Sequence, residues 1–188
     1  MTLGDFGFAL IDLMLVSALL ATVGLMAGTF VANAQDSTRW RRIGKVSWWL
    51  HALSVFGTVG LLMGMIFVRD YSYHYVYSHA ANELPNHYMA AAFWEGQEGS
   101  FLLWMFWHAV LGSILLLKAP REWKLPVVGV IGSIQSILAS MVLGVYIQSG
   151  IVYALLAVGG VVALVFAWKD KPLEQSQFSA KRNHFFFG

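Results

Sequence analysis

Five long apolar runs constrain this chain more than any other feature of its sequence. They cover roughly residues 6–31, 46–68, 101–117, 125–147 and 151–168. Each is long enough to cross a hydrocarbon core of about 30 Å at about 1.5 Å rise per residue. In lipid a backbone has no water to bond, so each run should be a helix. The expected fold is therefore an all-α integral membrane protein with about five transmembrane helices in one membrane domain, residues 1–188. Composition agrees, with 58% hydrophobic and 12% charged residues, against about a quarter charged in a soluble domain. There is no cysteine, which excludes disulfides, thiolate-held zinc and iron–sulfur centres.

The placement of charge gives an orientation. Arg39, Arg41, Arg42 and Lys45 lie between the first two runs, and Lys118, Arg121 and Lys124 between the third and fourth. Lys169, Lys171, Lys181 and Arg182 follow the fifth. The positive-inside rule then puts the N-terminus outside and the C-terminus in the cytoplasm, leaving Arg69 as the outer cation. The start, "MTLGDFGF", has no basic residue, so the first run reads as a retained helix rather than a signal peptide. The outer loop, residues 69–100, holds His74, His79 and His87 and a tyrosine series, Tyr71, Tyr73, Tyr75 and Tyr77. From Asn86 to Gly96 it could form an amphipathic helix on the membrane surface.

Small residues four apart let helices approach closely. Gly24 and Gly28 form one such pair and Gly60 and Gly64 another. Gly132, Ser136, Ser140 and Gly144 extend the spacing in the fourth run. They fit packing within the bundle, or docking to another membrane protein. Gln135, deep in the fourth run, should bond to a neighbouring helix.

Asp12, His51 and His108 are ionisable groups in or near the spans, and such groups are functional candidates. His51 sits about 7 Å from the inner end of its run and His108 about 10 Å from the outer end of its own. In a core of about 30 Å this separates them in depth by roughly 10 Å and argues against one haem clamped between them. Trp40, Trp48, Trp49, Trp123 and Trp168 read as inner interfacial anchors and Trp94 as an outer one. Trp104, Trp107, His108 and Leu111 share one helix face. That stripe could line a flat apolar ligand or pack a neighbouring helix. No metal-ligand spacing, serine-hydrolase elbow or phosphate loop occurs.

The densest polar cluster is "WEGQEGSFLLW", Trp94 to Trp104. Glu98 falls four residues after Trp94, so in a continuous helix they share a face. A carboxylate there suits a helix N-terminus, and Gly96 and Gly99 permit a break. With its flank, "LPNHYMAAAFWEGQEGSFLLW" resembles the N-terminal region of the CcmF/CcsA-like cytochrome c haem lyases. Leu84, Pro85, Tyr88, Trp94, Glu98, Gly99, Ser100, Leu102, Leu103 and Trp104 match that family's pattern. Glu95 and Gln97 depart from it, where many members have Gly and His. The resemblance extends over about residues 1–147. It implies attachment of haem to apocytochrome c on the outer face of the inner membrane, together with other maturation subunits.

The family's tryptophan-rich motif and its flanking histidines are absent from this chain. No catalytic residue can be carried over, and a split or truncated member is the expectation. Trp94, Glu98, Ser100 and Trp104 become candidates for contact with haem or a partner, with His87, Tyr88 and His108 behind them. Haem is expected as substrate or through partner subunits; no metal site and no nucleic-acid partner is implied. Two other readings stay open: a respiratory-complex subunit using His108 or Gln135 near haem b or quinone, and a small transporter.

Overall fold

A computed structural model describes residues 2–82 and 84–147 of the chain. The run at 151–168 and the basic tail lie outside these described residues. Six helices follow one another: α1 (Leu3–Phe30), α2 (Ala34–Phe67), α3 (His74–His79), α4 (Asn86–Glu95), α5 (Gln97–Lys118) and α6 (Arg121–Ile147). Four of them, α1, α2, α5 and most of α6, are long and apolar enough to cross a membrane. The protein is an all-α, multi-pass membrane protein.

The first two helix starts have local causes. Thr2 and Asp5 form a capping box on α1: Asp5 N–H donates to Thr2 Oγ1 at 3.2 Å, and Thr2 N–H to Asp5 Oδ2 at 2.7 Å. Asn33 caps α2 by accepting from Gln35 N–H at 3.0 Å. The α2 start corrects the expectation of a polar loop over residues 32–45. That stretch is the first three turns of α2, which is 34 residues long. Nothing between Asn33 and Val46 breaks a helix except Gly44. The free carbonyl end of α1 also holds the segment: Ser37 Oγ and Arg41 Nε both donate to the Gly28 carbonyl, at 2.9 and 2.8 Å.

α1 and α2 form an antiparallel pair whose seam is backbone on backbone. A Cβ built on Gly24 would stand 2.5 Å from Gly44 N, and one on Gly28 2.9 Å from Arg41 N. Gly24 and Gly28 thus pack as their spacing suggests, but their partner surface is Gly44 and Arg41. Gly60 and Gly64 do not share this use; a Cβ there meets nothing within 4 Å among the described residues. They lie on the exposed side of α2. α6 returns along α1, with Gly132 against Thr22 and Ser136 Oγ 3.5 Å from Thr22 Oγ1. Gln135 Nε2 donates to the Met105 carbonyl of α5 at 3.0 Å, the interhelical bond expected of it.

Trp48 is the centre of the inner core. It is fully buried with Ala21, Leu25, Leu116, Leu125 and Val128. Its Nε1–H donates to Ser113 Oγ at 3.1 Å, and its ring rests where a Cβ on Gly112 would be. This corrects the anchor reading of Trp48. Because α2 begins at Ala34, Trp48 is about 21 Å along the helix rather than at its inner rim. Trp40, Trp49 and Trp123 remain exposed. Trp168 lies outside the described residues.

Candidate functional site

The end of the bundle that carries α3 and α4, called the outer end after the orientation expected from the basic residues, is built around one break in the chain. α4 stops at Glu95 and α5 starts at Gln97, with Gly96 extended between them (φ −84, ψ 164). Trp94 and Glu98 therefore do not share a helical face, although both remain at the junction. Glu98 is in the first turn of α5, where the helix dipole favours a carboxylate. Ser100 Oγ donates back across the break to the Trp94 carbonyl at 2.8 Å.

Tyr75, on α3, fastens the junction. Its hydroxyl donates to the Phe93 carbonyl at 2.7 Å and accepts from Gly96 N–H at 3.2 Å. One hydroxyl thus satisfies an orphan carbonyl at the end of α4 and the amide in the break. A Cβ on Gly99 would collide with the Phe93 carbonyl and with the Tyr75 hydroxyl, so only glycine fits. Burial pushes the Tyr75 hydroxyl above its ordinary value of about 10, and the negative charges of Glu98 and Glu95 add to this. Its ring stacks on His79 at 4.5 Å.

Arg69 reaches across from the end of α2. It takes a left-handed conformation (φ 55), and its Nη2 donates to the Leu84 carbonyl at 3.1 Å. The outer cation thus holds the residue before Pro85, where α4 begins. Buried Met89, Ala92 and Phe93 dock α4 onto the bundle, while His87, Tyr88 and Trp94 stay exposed. α4 is amphipathic in the expected sense.

Beside the junction is a cavity of about 220 Å³. Ile11, Leu61, Leu62, Met65 and Leu102 form its apolar floor, and Tyr73, His74, Tyr75 and Glu98 its polar wall. Tyr73 also ties this wall to α1, since its hydroxyl accepts from Gly4 N–H at 3.0 Å.

The structure gathers Trp94, Glu98 and Ser100 at the junction. His87 and Tyr88 form a separate pair on α4, with ring centroids 4.2 Å apart. Trp104 and Trp107 are 57% and 56% exposed, so their stripe faces no neighbouring helix among the described residues. His108 is half-buried on the flank of that stripe, and its Nδ1 has no partner. Sequence reasoning missed Tyr75 and Arg69; the tyrosine series and the single outer cation were their signals.

The depth argument for His51 and His108 needs correcting. Trp48 meets Ser113, and Phe56 meets Phe106 with ring centroids 5.3 Å apart. That antiparallel register brings His51 and His108 to within about 3 Å in depth. Direction separates them instead. His51 is fully buried against α1, its Nδ1 bonded to the Met14 carbonyl at 2.9 Å, with Trp48 5.9 Å away. Its Nε2 is unpartnered, but neither it nor His108 lines the cavity beside the junction. Among the described residues no group of three His, Asp or Glu side chains is placed to hold a metal ion.

Two curated relatives are similar to about half of this chain. It is 30% identical over 107 residues to the cytochrome c-type biogenesis protein NrfE of Haemophilus influenzae. It is 34% identical over 101 residues to the cytochrome c-type biogenesis protein CcmF of Escherichia coli. Both relatives are cytochrome c biogenesis proteins. The matched stretches cover 55% and 54% of this chain, but 16% and 15% of the relatives' length. No family model matches the chain, and no solved structure does. The likeness is to CcmF-like proteins and is confined to about half of this chain.

Proposed function

We propose that this chain is a membrane subunit or fragment of the haem lyase machinery that joins haem covalently to apocytochrome c on the outer face of the inner membrane. Its N-terminus is outside, and its outer end positions haem or apocytochrome and docks the remaining subunits. The α4–α5 junction carries this reading. Tyr75, Arg69 and the Ser100–Trp94 bond fix a platform of exposed Trp94 and half-buried Glu98, in the segment whose residues resemble the lyases. A rigid platform of this kind presents an aromatic face and a carboxylate without itself breaking bonds. Haem is then substrate or cargo at this platform.

Deletion of the chain tests the proposal. Holocytochrome c should disappear while apocytochrome and free haem persist; normal holocytochrome refutes it. A second reading has its own observation: His51 Nε2 and His108 Nδ1 are buried imidazole nitrogens without partners. A redox-active haem b or bound quinone in the purified chain, with covalent haem attachment intact in the deletion strain, would move the assignment to an electron-transfer subunit.

A further inference from the structure

Asp12 is a carboxylate on the wrong side of its helix. It lies nine residues into α1, about 14 Å below the helix's outer end, and it is exposed on the outside of the bundle. Leu13, Val16, Leu20 and Val23 surround it on that face, each at least 42% exposed. Across the seam it is level with about Val55 of α2, since Gly57 packs on Leu10. No hydrogen bond or ion pair engages its carboxylate among the described residues. Counted from the start of the apolar run at residue 6 it is about 9 Å deep, farther than an aspartate side chain reaches, and an unpaired intramembrane charge is costly.

We propose that this face of α1 is a docking surface for a transmembrane helix of another polypeptide, which presents a lysine or arginine to Asp12. The chemistry of the other occupants argues against them. The chain's own apolar run at 151–168 contains no lysine, arginine or histidine. A second copy packed through the same face, in the same orientation, would bring Asp12 against Asp12 at one depth. Lipid tails offer no hydrogen-bond donor. A cationic partner helix neutralises the carboxylate and covers the leucine and valine side chains on either side of it. This inference stands on α1 alone and does not depend on the role proposed for the outer end.

A photocrosslinking phenylalanine analogue at Val16, in the full chain in its native membrane, tests it. The expected adduct joins another membrane protein through a helix that carries a lysine or arginine. At matched chain levels, Asp12→Leu should cut its yield about tenfold or more and Asp12→Asn by less. Reversing both charges, Asp12→Lys with that basic residue→Asp, should restore it. Adducts only to lipid, to a second copy or to residues 148–188 would overturn the proposal. So would a partner helix with no basic residue, or an adduct indifferent to Asp12→Leu.

Discussion

The inner and outer ends of this bundle are held by different physics. At the inner end, α1 and α2 touch through backbone at Gly24, Gly28 and Gly44, and Trp48 fills the space between α2 and α5. Close packing and dispersion do the work there, and the surface that remains is lipid-facing. At the outer end, buried Val76, Met89, Ala92 and Phe93 pack α3 and α4 onto the bundle, and single polar contacts from Tyr73, Tyr75, Arg69 and Ser100 fasten the breaks between these short helices. Beside them lies a cavity. Where backbones touch, substitution is resisted. Where breaks between short helices are fastened by single hydrogen bonds, the chain is more easily loosened, and there Trp94 is exposed and Glu98 lines the cavity.

Breaking the inner end should have the largest effect on stability. Trp48→Ala removes a fully buried indole and should cost about 3–5 kcal/mol, read as a large fall in the thermal unfolding midpoint in detergent. Gly44→Leu forces a side chain into the backbone of Gly24 and Leu25 and should cost about 3 kcal/mol by overpacking. Tyr75→Phe keeps the ring but removes two hydrogen bonds at the outer end. At about 1 kcal/mol each, it should cost about 2 kcal/mol, with faster amide exchange confined to α3, α4 and the start of α5.

The same hydroxyl gives a pH signature. Its folded value lies above the unfolded one, so folding favours the neutral phenol. That stabilisation is complete below about pH 10 and is lost as pH rises through the folded value. The outer end should therefore loosen in alkali before the inner end, and Tyr75→Phe should remove that step. The smallest effect belongs to Gly60→Leu. With nothing within 4 Å of its Cβ position, it should change stability by less than about 0.5 kcal/mol. A large loss there would mean that the exposed side of α2 is packed after all.

What could be read in advance follows from the range of the interaction. The spans were legible because lipid leaves the backbone only one solution and marks it with long apolar runs. Gly24–Gly28 and Gly60–Gly64 have the same spacing yet different fates, because spacing permits close approach without choosing a partner. The partner, Gly44, stands among arginines in a stretch whose charges suggested a loop. Only the Gly28 carbonyl, capped by Ser37 and Arg41, explains why it is helix. Misplacing that start put Trp48 at the rim and shifted His51 in depth. The candidate cluster was legible in Trp94, Glu98 and Ser100, and the glycines marked the break. Tyr75 was not, since its partners lie 18 and 21 residues away and no local periodicity encodes them.

The measurement that bears most directly on the role of the outer end is covalent haem per cytochrome c polypeptide in a strain carrying Glu98→Gln, at matched levels of the membrane chain. Glu98 has no ion pair to lose among the described residues, so the substitution should cost only the helix-dipole contribution, about 0.3–1 kcal/mol. The proposed function predicts a clear fall in holocytochrome c with the bundle still folded, whereas Gly60→Leu leaves both intact. Wild-type haem attachment in Glu98→Gln, and in a deletion of the whole chain, would contradict it.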